Sequence, residues 1–173
     1  MHPSSDVIDD LSRNPPLATI GTPWQLVTDQ VMGGTSSGTF VREIVGGRQA
    51  IHMRGNVRLE NNGGFVQIGL DLAPDGKAVD ASSWIGIELD VLGNGEEYNM
   101  HLRTLDLNRP WQSYRHGFMA ATSWQTVRLP FGSFIAHRTD APLDLRRLRR
   151  VGLVAIGRAF SADLALSGIR FFT

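Results

Sequence analysis

Phe40-Val41-Arg42-Glu43-Ile44-Val45-Gly46-Gly47-Arg48-Gln49-Ala50-Ile51-His52-Met53 decides the fold of this chain. Phe40, Arg42 and Ile44 alternate with Val41, Glu43 and Val45, two glycines supply a turn, and Ile51, Met53, Val57 and Leu59 resume on one face. A period of two on both sides of a turn free to take positive φ predicts a β-hairpin. The same alternation recurs in Val66, Ile68, Leu70 and Leu72, in Ile85, Ile87, Leu89 and Val91, in Tyr98, Met100 and Leu102, and around Val127 and Leu129. Val151–Ile156 and Leu164–Phe172 supply two further apolar strands. Short strands separated by Gly, Pro, Asn and Asp clusters predict an all-β protein, an antiparallel β-sandwich of jelly-roll type, with little helix.

Two stretches depart from this period. Ser5–Arg13, with Ser4 or Ser5 as N-cap and Val7, Ile8 and Leu11 on one side, reads as a short helix ended by Pro15 and Pro16. It predicts an N-terminal arm over residues 1–23, packed on a single sandwich domain over 24–173. In Asp140–Arg150 the leucines at 143, 145 and 148 share one side of a helical turn, with Arg146, Arg147, Arg149 and Arg150 wet. A solvated face with apolar stems is the expected role of these arginines, against an anion-binding patch.

A chain of 173 residues buries roughly 70% of its unfolded surface as one domain and is short for two. Lys plus Arg equals Asp plus Glu at 17 each, so net charge supports neither a nucleic-acid nor an anionic-membrane partner. No apolar run reaches the length that spans a bilayer, so no membrane insertion is expected. The absence of cysteine removes disulfides and thiolate chemistry together. Residues 1–10 resemble neither a signal peptide nor a presequence, and the expected location is cytoplasmic. Lys77 is the only lysine. Arginine favours forked and stacked contacts, although genomic base composition produces the same bias.

Two loops carry the unusual chemistry. Asp29-Gln30-Val31-Met32-Gly33-Gly34-Thr35-Ser36-Ser37-Gly38 and Glu60-Asn61-Asn62-Gly63-Gly64 have little to bury and a backbone suited to positive φ, and they predict a shared rim. Gly33, Gly34, Gly63 and Gly64 are expected at positive φ, with Asp29, Ser36, Asn61 and Asn62 at the rim. Asp29, Glu60 and the two asparagines offer oxygen ligands to a cation such as Ca²⁺, but loop Asn and Asp more often bond their own backbone. No metal and no cofactor is expected. Along the Tyr98–Arg103 strand, alternation puts Asn99, His101 and Arg103 on the outer face. Ser113 and Arg115 share that parity on the next strand, with Trp111 at the mouth of the loop between them. Arginine beside an indole suits a sugar face, a carboxylate or a peptide. In the competing reading Arg103 pairs with Glu88 or Glu60. No catalytic signature appears: His52, His101, His116 and His137 lack ligand spacing, and there is no nucleophile elbow or phosphate loop, so an enzyme is not expected.

The motifs taken together resemble the domain of complex I intermediate-associated proteins. The resemblance rests on Trp24, Asp29-Gln30-Val31-Met32-Gly33-Gly34 with Ser36-Ser37-Gly38, and Leu59-Glu60-Asn61-Asn62-Gly63-Gly64-Phe65. It continues through Leu102-Arg103-Thr104, Tyr114, Phe118, Trp124, Val127-Arg128-Leu129-Pro130-Phe131 and Phe134, and so runs from about Trp24 to the C-terminus. It implies a galactose-binding-type jelly roll similar to carbohydrate-binding modules, and a binding module that docks on a protein partner, such as respiratory-complex subunits, during assembly of a membrane oxidoreductase. The alternative is a glycan-binding module using the face around Arg103 and Trp111. His101 departs from the family pattern by adding a basic group to that strand.

Overall fold

A computed structural model describes residues 5–173. Strands run in chain order as β1 (Val7–Asp9), β2 (Trp24–Thr28), β3 (Ser37–Val45), β4 (Arg48–Val57), β5 (Phe65–Asp71) and β6 (Gly86–Leu92). They continue as β7 (Glu97–Thr104), β8 (Ser113–Met119), β9 (Gln125–Pro130), β10 (Ile135–His137), β11 (Leu148–Ile156) and β12 (Phe160–Phe172). One six-stranded sheet has the order β3-β4-β12-β6-β9, with β1 added against β12. The other six-stranded sheet has the order β10-β8-β7-β11-β5-β2. Pairing is antiparallel throughout, and strands distant in sequence lie side by side, which is the jelly-roll arrangement anticipated from the alternation. Helical structure among the described residues is confined to short 3₁₀ turns.

The hairpin is built as its sequence dictates. Val45 pairs with Arg48 around a two-residue turn in which Gly46 has φ 53° and Gly47 φ 82°. Positive φ at both central residues matches the right-handed twist of the flanking strands. The inward residues Ile51, Met53 and Val57 of β4 join Val66, Ile68 and Leu70 of β5, Ile87, Leu89 and Val91 of β6 and Tyr98, Met100 and Leu102 of β7 in one core. Each buried aliphatic or aromatic side chain there stabilises the fold by about 1.5–3 kcal/mol. Leu59 and Ile85, by contrast, lie outside the strands and stay exposed, because β4 ends at Val57 and β6 begins at Gly86.

The N-terminal segment corrects the expected helix. Val7–Asp9 is a strand, pairing Val7 with Arg170 and Asp9 with Ile169, and the amide of Phe171 donates to Asp6 O at 2.8 Å. Strand β12 has 13 residues, and β4 covers it only from Phe160 to Leu166. The rest of that edge holds backbone groups that require partners, and this outweighs the marginal propensity of a nine-residue helix. Asp9 then anchors the segment, accepting from Trp24 Nε1 at 2.7 Å and from the Leu11 amide at 2.9 Å. Ser4, the other candidate cap, lies outside the described residues.

The connector before β11 is a single 3₁₀ turn, Leu145–Arg147, capped by Asp144, whose side chain accepts from the Arg146 amide. Leu148 belongs to β11 and is buried. Arg150 is also in that strand and is not wet: its Nη1 lies 2.8 Å from Asp71 Oδ1, across the register pair Arg150–Asp71.

Candidate functional site

The two Gly-Gly loops meet at one carboxylate. Asp29, fully buried, begins a 3₁₀ turn that Thr28 caps and Gly33 closes at φ 87°. Its Oδ1 accepts the Ser36 amide at 2.9 Å, and its Oδ2 accepts Ser36 Oγ at 2.5 Å and the Gly64 amide at 2.5 Å. Burial pushes the Asp29 pKa up, but the bonds from Ser36 and the amides of Gly64 and Phe65 outweigh it and hold the carboxyl below its ordinary range. Both oxygens face N–H and O–H donors, an arrangement that suits a structural anchor and opposes a cation. Glu60 is occupied likewise, accepting from Arg58 and from Thr35 Oγ1. Among the described residues no cluster of His, Asp and Glu has the geometry of a metal site.

Only half of the four rim glycines owe their identity to φ. Gly33 and Gly64 have positive φ, at 87° and 132°. Gly34 and Gly63 do not, and there the reason is space: a Cβ on Gly34 would lie 2.4 Å from Asp29 Cγ, and one on Gly63 2.5 Å from Asp29 Oδ2. Asn61 and Asn62 take the left-handed conformation at φ 57° and 59°, and Asn61 Nδ2 donates to Gly33 O at 3.0 Å. Asp29, Ser36 and Asn61 thus weld the loops together, leaving Val31 and Met32 exposed at the tip.

The second candidate site is the outer face of the sheet that contains β7. Alternation buries Tyr98, Met100 and Leu102 and turns Asn99, His101 and Arg103 outward. In register, Asn99 faces Gly117, and His101 faces Arg115 on one side and Gly152 on the other. Arg115 in turn faces Ile135 of β10. Tyr114 and Phe118 are buried in the core. His137 pairs with Ser113, and the Arg138 that follows accepts a hydrogen bond at its carbonyl from Gln112 Nε2 at 3.1 Å.

Arg103 does not form the ion pair that the competing reading gave it. Glu88 is held by Arg128 and Arg170, and Glu60 by Arg58, so Arg103 pairs with neither. Its Nη1 instead donates to the carbonyls of Arg109, Pro110 and Gln112, at 3.0, 3.0 and 2.8 Å. One guanidinium nitrogen thereby shapes the loop that presents Trp111, a residue 54% exposed. Burial, and then Arg149 and Arg150, hold its pKa below the usual guanidinium value.

His101 is sunk into this face. Its Nε2 is buried and has no hydrogen-bond partner. Burial, followed by the charges of Arg115 and His137, pushes its pKa down to about 3, so the ring is neutral at neutral pH. The pKa values of Arg115 and His137 are lowered as well, by burial first and then by neighbouring positive charge. His52, on the opposite sheet, has both ring nitrogens taken, by Glu43 Oε2 at 2.7 Å and Asp163 Oδ1 at 2.5 Å, and offers no free nitrogen to a ligand.

The structure therefore brings Asn99, His101 and Arg115 together on one face, ties the exposed Trp111 loop to the same strand through Arg103, and keeps the Asp29 rim as a separate element. His137 and Arg138 join this face unforeseen. The three-residue β10 is too short to show a period, although the parity of Ile135 and His137 is its only trace in the sequence. Two hollows lie elsewhere: one of about 230 Å³ between Pro15, Pro16, Trp24 and Phe40, the other of about 350 Å³ between Asn56, Arg58, Glu60 and Phe160.

Several solved structures share the fold. The family 11 carbohydrate-binding module of the cellulosomal cellulase Lic26A-Cel5E of Clostridium thermocellum is 16% identical, with a TM-score of 0.72 over 99% of this chain and 96% of that one. The family 11 module from Clostridium thermocellum in complex with a β-1,3-1,4-mixed-linked tetrasaccharide is 17% identical, with a TM-score of 0.71 over 97% and 95% of the two chains. A family 30 carbohydrate-binding module is 15% identical, with a TM-score of 0.58 over 80% and 92%. At these identities the likeness establishes the fold. No curated protein sequence matches. The family description Complex I intermediate-associated protein 30 (CIA30) matches residues 17–166, which include both Gly-Gly loops, the Arg103 strand and the Trp111 loop. This chain belongs to the CIA30 family.

Proposed function

We propose that this protein is a non-catalytic binding module that docks on a protein partner during assembly of a membrane-bound oxidoreductase, with respiratory-complex subunits as the partners and the cytoplasm as the place. The observation that carries the reading is the open outer face of β7 and β8, rich in hydrogen-bond donors, beside an indole held out to solvent by Arg103. An open face beside an exposed Trp suits a macromolecular surface better than a small metabolite, which is normally enclosed in a cleft. Family membership supports the same reading. No helix among the described residues is long and apolar enough to cross a membrane.

A second reading, a carbohydrate-binding module, is favoured by one observation: Trp111 offers a flat aromatic surface next to polar side chains, the arrangement on which sugar rings stack. Affinity capture from the native cell separates the two. Recovery of respiratory-complex subunits, lost on Trp111→Ala, is the expected result. An empty capture together with a positive glycan array would replace docking by sugar binding.

A further inference from the structure

The proposed docking face carries positive charge without a counter-ion. On the opposite sheet Arg170 is bonded to Glu88 and Asp90, and Arg128 to Glu88. On the face around β7, Arg150 is neutralised by Asp71 and Arg147 by Asp106. Arg103, Arg115, Arg138 and Arg149 form no ion pair among the described residues. The charges that lower the pKa values here are of one sign: Arg115 acts on His101 and His137, and Arg138 on His137 and Arg115. Four arginines that lack an ion pair are thus gathered on this face, with like charge as their neighbour. Like charges held together cost stability, which marks a site shaped for a ligand.

The chemistry of that ligand follows from what the face can donate. Guanidinium groups have only donors, and the Asp71 and Asp106 carboxylates are taken by Arg150 and Arg147. A neutral sugar needs acceptors for its hydroxyl protons as well as donors, whereas a carboxylate needs donors alone. Beside the cations, β10 is the edge strand of its sheet, so one side of its backbone ladder is open to an added strand. Only a polypeptide matches that ladder. Ile135, at 72% exposure on the same strand, offers it an apolar contact.

We infer that the docking face receives an extended, acidic segment of the protein partner, lying along β10 with its carboxylates against Arg115, Arg138 and His137 near Trp111. This rests on the docking reading and specifies the partner's chemistry.

The test is fluorescence anisotropy of the full chain with a dye-labelled peptide of alternating glutamate and valine, beside the same peptide with glutamine for glutamate. The acidic peptide is expected to bind at least about tenfold more tightly, a difference of about 1.4 kcal/mol. Its binding is expected to weaken several-fold as salt rises past the point where the Debye length is about 10 Å. Arg115→Gln and Arg138→Gln should each weaken it about threefold or more while leaving the glutamine peptide unaffected. Arg138 is exposed, so its variant keeps the test valid should Arg115→Gln impair folding. Equal binding of the two peptides, or unchanged binding in folded variants, would overturn the inference. Displacement of the peptide by more tightly bound polygalacturonate would overturn it in favour of a carboxylated glycan. Capture of the native partner with Arg115→Glu distinguishes the two levels. If capture is lost but the acidic peptide does not bind, docking stands and the acidic segment falls. If capture survives both Arg115→Glu and Trp111→Ala, docking at this face falls.

Discussion

Asp29 and Gly64, 35 residues apart, are joined by the Gly64 amide donating to Asp29 Oδ2 at 2.5 Å. This bond closes the two Gly-Gly loops on each other, and its energetics are open to a direct test. Asp29→Asn keeps the size of the side chain but turns an amide NH₂ toward the donors of Ser36 or Gly64, so at least one buried donor loses its acceptor. A loss of about 3 kcal/mol is expected in urea denaturation at neutral pH. The pH dependence has a definite sign. Because the folded-state pKa lies below the ordinary 3.8, Asp29 contributes its full stability above pH 3.8 and loses it as the pH falls through the folded value. The variant should lack that part of the acid slope.

The rim glycines should divide into two classes. Gly33→Ala meets open space but a φ of 87°, and should cost about 1 kcal/mol. Gly34→Ala and Gly63→Ala push a methyl group into the Asp29 carboxylate and should each cost about 2 kcal/mol or more. Equal melting temperatures for Gly33→Ala and Gly34→Ala would count against the steric account.

His101 makes stability depend on pH in a different window. Its folded pKa of about 3 lies below the ordinary 6.5, so the unfolded chain binds more protons between those values. Stability therefore falls as the pH drops from 6.5 toward 3, by up to about 1.4 kcal/mol per pH unit. His101→Gln should flatten the profile between pH 6.5 and 4, above the range in which Asp29 acts. Stability measured by denaturant titration at stepped pH separates the two.

Arg103 is predicted to act through the loop that it holds. Arg103→Met retains the stem but frees three carbonyls, and should cost about 1–3 kcal/mol with faster amide exchange across residues 109–112. The Trp111 fluorescence spectrum should shift as the loop loosens. A variant that leaves exchange in this loop unchanged would show that Arg103 does not hold it.

Much of the molecule was legible before folding was considered. Period-two alternation is a local property, since neighbouring Cβ atoms point to opposite faces, and it is enough to place Val66, Ile68 and Leu70, or Tyr98, Met100 and Leu102, in a core. The Gly46–Gly47 turn is likewise local, because two positive φ angles are cheap only for such residues. The chain by itself therefore determined the long strands, the sandwich and the outward parity of Asn99, His101 and Arg103. What it left to the tertiary structure was decided by partners far along the chain. Val7–Asp9 became a strand because the edge of β12 had unpaired backbone to satisfy. Gly34 and Gly63 had to be glycine because Asp29 fills the space where their Cβ atoms would stand. Arg103 turned to loop carbonyls because Glu88 and Glu60 were already held by other arginines. The cationic face assembled only when β10 brought His137 and Arg138 beside Arg115, and hydrogen bonds and charges across such distances leave no period in a sequence.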